Sequence, residues 1–159
     1  MRFNIALRNY LLVLFAALAL SACSTAKKAG PKTVDDVYTG TDTIEYLAKG
    51  VPDRVFFATN KSSLTTAARD TLRKQATYLR KNKNITITIE GHADERGTRE
   101  YNLALGERRA NAARDYLMTY GISGKRISVI SYGKEKPVNP ASTPLAWSQN
   151  RRSVTVKVN

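Results

Sequence analysis

Residues 84–97 read NITITIEGHADERG, and the fold follows from how that stretch divides. Up to Glu90 it alternates strictly, with Ile85, Ile87 and Ile89 on one side and Thr86, Thr88 and Glu90 on the other. Successive side chains of a strand point to opposite faces, so this is a strand with one apolar and one polar face. GHADERG (91–97) ends the alternation as a turn around the only histidine in 159 residues. Downstream, Thr98 is placed to cap a helix with Leu105, Ala112, Ala113, Tyr116 and Leu117 on one stripe. Gly121 ends that helix, and Ile122 is positioned for the apolar contact of a Schellman motif. Upstream, Thr65 caps a helix running to about Lys81, with Ala68, Leu72, Ala76 and Leu79 at helical spacing. A short strand at 54–57 precedes it, with Val55 and Phe57 on one side. Residues 127–132 read as a third strand and 133–150 as a long proline-containing loop. Val154, Val156 and Val158 alternate in a last strand. The order β-α-β-α-β-β predicts an α/β two-layer sandwich, a mixed sheet covered by helices on one face because alternation leaves the other wet. Right-handed crossovers place the turns at 58–64 and 91–97 at the same end of the sheet, where ligands collect in such folds.

A histidine beside Asp94 and Glu95 opens three readings: acid/base chemistry, a metal site, or a binding turn. One histidine cannot supply a two- or three-histidine metal site, and HADE lacks the second histidine of H-E-x-x-H. The chain has no G-x-S-x-G elbow, and nothing near His92 offers a nucleophile or a P-loop. No catalysis, metal or cofactor is expected, and His92 reads most simply as a packed structural residue. Binding is better served. Asn102, Leu105 and Arg109 share one side of the second helix, the side that can face the turn carrying Asp94. A plain Asp94–Arg109 salt bridge is the bland reading. Held apart, the two present one fixed anion and one bidentate cation, a gap that a zwitterionic amino-acid group would fill. Glu95, Arg96 and Glu107 read as solvated charges in preference to partner contacts. Arg151 and Arg152, at the start of the last strand, read as structural, with one of them placed to pair with an acid.

The amino end is of a different character. Arg2 and Arg8 flank an approach to an unbroken apolar run from Leu11 to Leu20, half of the roughly 20 residues a membrane-spanning helix needs. Residues 1–22 therefore read as an export signal. Leu20-Ser21-Ala22-Cys23 resembles the lipobox of bacterial lipoproteins, which implies cleavage before Cys23 and acylation of that residue. Two or more acyl chains anchor stably, at about 0.8 kcal/mol per buried CH₂. Ser24, in place of an aspartate, resembles lipoproteins sorted to the outer membrane. Residues 23–50 hold no sustained apolar period and read as a flexible tether with a short ordered piece around residues 44–47, and residues 51–159 read as the folded domain. Removing residues 1–22 takes away two arginines and no acid, so the formal charge falls from +13 to +11. In an exported protein the acidic partners are the cell wall, anionic lipids and acidic proteins, not nucleic acid.

The run GHADERGTREYNLALGERRANAARDYL (91–117) resembles the signature of the OmpA-like peptidoglycan-binding domain family. Asn102-x-x-Leu105-Gly106-x-x-Arg109-Ala110 matches its helix motif, and SYGKEKP (131–137) and QNRR (149–152) match its later segments. The resemblance spans about residues 51–159. It implies binding to meso-diaminopimelate in peptidoglycan stem peptides: Asp94 would accept the ligand ammonium and Arg109 would clamp its carboxylate. Ala93 and Leu105 would line the pocket, with Asn102 on the helix motif and Asn60 on the first loop. Asn60 departs from an acidic residue common in the lipid-anchored members, although its amide still hydrogen-bonds. The resemblance further implies a lipid-anchored outer-membrane protein with its domain in the periplasm. Its implied partners are those of the Tol system, TolB and TolA, in envelope integrity and cell division. The alternatives are a basic polyanion-binding periplasmic module, whose binding would fall steeply with salt, and an accessory to a cell-wall enzyme.

Overall fold

The computed structural model describes residues 36–158. The expected export signal, Cys23 and the first part of the expected tether lie outside the described residues. In chain order the elements are β1 (Tyr46–Ala48), β2 (Val51–Pro52), β3 (Arg54–Phe56), α1 (Thr66–Lys81), β4 (Ile87–His92) and α2 (Arg99–Thr119). A 3-10 turn (Gly124–Arg126), β5 (Ile127–Gly133), α3 (Pro144–Asn150) and β6 (Arg152–Lys157) follow.

The four main strands lie in the order β3-β6-β4-β5, with β4 and β5 parallel and β6 antiparallel to both of its neighbours. This is the mixed sheet expected from the sequence. Both long helices start where side-chain oxygens can meet free amides. Thr65 accepts from the Ala68 N–H and Thr98 from the Tyr101 N–H, each at 3.2 Å. At the far end of α2, Gly121 is left-handed (φ +81°). The Ile122 N–H reaches Leu117 O at 3.3 Å and the Gly121 N–H reaches Met118 O at 2.9 Å. That pair of bonds closes a Schellman motif. Ile87 and Ile89 of β4 meet Leu72 and Leu79 of α1 and Leu117 of α2 in one core, so both helices cover the same face.

On β4, Gly91 sits where α2 crosses the strand. A Cβ on Gly91 would lie 1.8 Å from the carbonyl oxygen of Gly106, so helix and strand touch backbone to backbone.

Three expectations need correction. Residues 36–50 are not all tether. Val37, Tyr38 and Leu47 are buried, Tyr38 meets Phe56 edge-on at 4.8 Å, and β1 and β2 pair across a turn containing Gly50. The loop at 133–150 contains α3, whose first turn is set by Thr143 accepting from the Ala146 N–H at 3.2 Å and by Pro144 at the first position. Finally, the valines of β6 do not face the helices. Ile89 pairs with Thr155 and Glu90 with Val154, so Thr155 is the residue on the helix side. Its hydroxyl donates to Gln75 Oε1 at 2.8 Å, and the Gln75 amide donates to Pro52 O at 2.8 Å. A buried polar contact with all its partners present replaces the expected apolar one.

Candidate binding site

Because β3 and β4 run parallel, the turns that follow them emerge at one end of the sheet, beside the first turns of α2. Arg109 joins them. Its guanidinium is fully buried and donates from Nε to Lys61 O at 2.9 Å, from Nη1 to His92 O at 2.8 Å and from Nη2 to Ala58 O at 3.1 Å. Its carbon lies 5.3 Å from the centroid of the Phe57 ring. Among the described residues no carboxylate lies within ion-pair distance of it. Burial, then the nearby charge of Arg151, lowers this guanidinium to about 10, with Asp94 opposing. It stays cationic at neutral pH. A buried cation compensated only by neutral carbonyls and a distant carboxylate is costly to hold.

Asp94 is also buried, but Arg109 is not its partner. Arg96 donates to it from the backbone N–H (3.1 Å), Nε (3.0 Å) and Nη2 (2.8 Å), and Arg151 donates from Nη1 at 3.3 Å. Burial works to raise the carboxyl, yet the Arg96 bonds, together with Arg151, hold it below the usual carboxylate range. The bare pair expected from the sequence is thus a cluster. Asp94 has two arginines, and Arg109 stands apart with donors to spare, since three of its five N–H groups are used.

The remaining expected residues take supporting places. Ala93 and Leu105 are buried. The Ala93 N–H donates to Gly133 O at 2.8 Å. Asn102 is buried and donates to Arg96 O at 2.8 Å, which fixes the shape of the turn. Asn60 is exposed and left-handed (φ +56°), a conformation asparagine tolerates well. His92 is buried, with its ring on the sheet face opposite the helices, 5.6 Å from the Tyr132 ring. Burial first, then Arg152, Lys136 and Arg54, lowers it to about 3, so the imidazole is neutral.

Several contacts were not legible in the sequence. Arg96 is not merely solvated: besides gripping Asp94 it stacks 4.3 Å from the centroid of Trp147. Glu95 accepts from the indole N–H of Trp147 at 2.8 Å and from the Ser142 hydroxyl at 3.0 Å. Arg151 is buried and also pairs with Asp36 at 2.9 Å. The clues were the only tryptophan in the chain and the paired arginines of QNRR, but neither names its partner. Among the described residues no group of three or more metal-binding side chains occurs, and no helix is long and apolar enough to cross a membrane.

Comparison with known proteins places these residues in a family. The OmpA family profile matches residues 56–151. A protein named Peptidoglycan-associated lipoprotein from Rhizobium meliloti (strain 1021) is 48% identical over 158 residues, covering 96% of this chain and 89% of that protein. Its namesake from Agrobacterium fabrum is 47% identical over 146 residues, covering 88% and 82%. The crystal structure of the peptidoglycan-associated lipoprotein from Burkholderia pseudomallei superposes with a TM-score of 0.65 at 39% identity, over 66% of this chain and 89% of that one. The C-terminal domain of Helicobacter pylori MotB shares the fold at 20% identity and a TM-score of 0.63. With the profile covering more than half of its length, and nearly half of its residues shared with a relative along almost the whole chain, this protein belongs to the OmpA family.

Proposed function

We propose that this protein binds peptidoglycan non-covalently and without catalysis, reading the meso-diaminopimelate of stem peptides at the end of the sheet where Asp94 and Arg109 lie. In this reading Asp94 accepts the ligand ammonium and Arg109 clamps its carboxylate. Ala93 and Leu105 line the site, and Asn102 and Asn60 shape its two turns. Arg109 carries the proposal. It is a buried guanidinium with no carboxylate in contact among the described residues, and an arriving carboxylate would supply the missing partner. The relatives' names, Peptidoglycan-associated lipoprotein, agree with peptidoglycan as the partner.

The proposal extends to location. Acylation of Cys23 would hold the chain on the outer membrane with its domain in the periplasm. Only twelve residues separate Cys23 from Asp36, so the domain would stand within about 45 Å of the membrane surface even with that stretch fully extended. TolB, and TolA beside it, are the partners the family resemblance implies, in a Tol–Pal system acting in envelope integrity and cell division.

Sedimentation with purified sacculi tests the central claim. The unmutated chain should co-sediment, and Arg109→Lys, which keeps the charge but loses the fork, should not. A melting curve on the same Arg109→Lys sample checks that it is folded. Equal retention of both chains, with binding lost as salt rises, would favour the polyanion module instead.

A further inference from the structure

Asp94, Arg96 and Arg151 belong to a closed ring of polar contacts whose other two members come from earlier in the chain. Arg96 Nη2 donates to Thr59 Oγ1 at 3.3 Å. Thr59 in turn donates to the Asp36 carboxylate from both its backbone N–H, at 3.2 Å, and its hydroxyl. Asp36 then pairs with Arg151 at 2.9 Å through its carboxylate, and its carbonyl accepts from the same guanidinium. Arg151 closes the ring on Asp94 at 3.3 Å. Two carboxylates and two guanidiniums make the ring neutral.

Asp36 is the odd member. It lies outside the family-matched residues 56–151, on the segment that leads into the domain. Its backbone is left-handed (φ +63°), a conformation held by the bonds on either side of it. The segment is pinned directly behind it, where Val37 and Tyr38 pack with Phe56. Without the Asp36 carboxylate, Arg151 would have Asp94 as its one carboxylate partner in the ring. Arg151, which divides its guanidinium between the two carboxylates, would then turn wholly onto Asp94, where it already holds one contact at 3.3 Å, and would compete harder with a ligand ammonium for that carboxylate. The site would also gain one net positive charge, which repels an ammonium.

We propose that Asp36 is a positioning residue for ligand binding: by sharing Arg151 and holding the Thr59 turn, it keeps the Arg151–Asp94 contact single and long, so that an arriving ammonium can displace it. This rests on the diaminopimelate reading of the same site. It also makes the segment between the lipid-bearing end and the domain part of the binding apparatus.

The test is a double-mutant cycle read by calorimetry, on the full-length chain in detergent with a diaminopimelate stem peptide. Asp36→Asn suits the left-handed backbone and keeps an acceptor for Thr59, so it should melt close to the unmutated chain. It should nevertheless bind about tenfold more weakly. In an Asp94→Asn background the same change should cost nothing further, because its effect passes through Asp94. Unchanged affinity in Asp36→Asn, or a loss that simply adds to that of Asp94→Asn, would overturn the positioning role. Failure of the unmutated chain to bind the peptide would overturn the diaminopimelate reading itself, and the positioning role with it.

Discussion

Arg109 fastens to the backbone of His92 and not to its ring. The guanidinium Nη1 donates to His92 O at 2.8 Å, while the imidazole turns to the other face of the sheet beside Tyr132. One residue therefore serves the site with its carbonyl and the fold with its side chain. His92→Asn, which leaves the carbonyl in place, should lower stability by about 1–3 kcal/mol and leave affinity nearly unchanged. Thermal unfolding and calorimetry on one preparation check this. Lost binding at an unchanged melting temperature would move the ring into the site.

The same residue should make stability fall with acidity well before the carboxylates titrate. The unfolded imidazole takes a proton near 6.5, and the folded one resists until about 3. Between those values the unfolded chain binds the extra proton. Stability is therefore full above 6.5 and is lost on acidification, by up to about 1.4 kcal/mol per pH unit. Asp36 and Asp94 are held below 3.8 and add their own loss only beneath about pH 4. Urea midpoints from pH 7 to 4.5 should slope for the unmutated chain and flatten for His92→Asn.

Arg151 should be far more sensitive than its sequence position suggests. It is buried, bonds Phe57 O at 3.1 Å and pairs with both Asp94 and Asp36. Arg151→Met would leave a buried carboxylate one cation short, at a cost of about 3–5 kcal/mol. Chemical denaturation decides, and a loss below 1 kcal/mol would contradict the ring of contacts.

If the ligand is read by matched charges, truncating Asp94 or Arg109 should cost about 2–5 kcal/mol of binding. Lys74→Ala and Lys81→Ala should cost little, because exposed charges on α1 add only a screened field. Amidating the diaminopimelate carboxylate should hurt as much as removing Arg109. Equal calorimetric affinities for the free and amidated peptides would rule out the clamp.

Anchoring is separable from all of this. Cys23→Ser should abolish fatty-acid labelling and membrane fractionation while the domain keeps its melting temperature. Label persisting on the variant would exclude Cys23 as the acylated residue.

What could be read from the sequence was local. The caps at Thr65 and Thr98, the Schellman end at Gly121 and the apolar face at Ile87 and Ile89 each depend on neighbours within a few positions, and each formed. The face of β6 was misread because its register, not its own alternation, decides what Thr155 meets, and Gln75 lies 80 residues away. The structural role of Arg151 was legible but its partners were not, because Asp94 and Asp36 are 57 and 115 residues from it. The order at 36–50 was legible only as a short piece around residues 44–47, because one Tyr38–Phe56 contact and a short hairpin leave no period to detect.

The bare contact between Gly91 and Gly106 also has a bearing on selectivity. Most clefts adjust their width by letting side chains between helix and sheet repack. Here nothing intervenes to be repacked, since a single methyl at either glycine would collide with backbone or with Ser131 Oγ at 2.3 Å. Asp94 lies three residues past one of these glycines and Arg109 three residues past the other. Their separation behaves as a gauge cut to one size. With the pair reading one amino-acid head, as proposed, discrimination should act on the spacing of its ammonium and carboxylate: an analogue with the ammonium moved one carbon along should be rejected outright, not bound with graded preference.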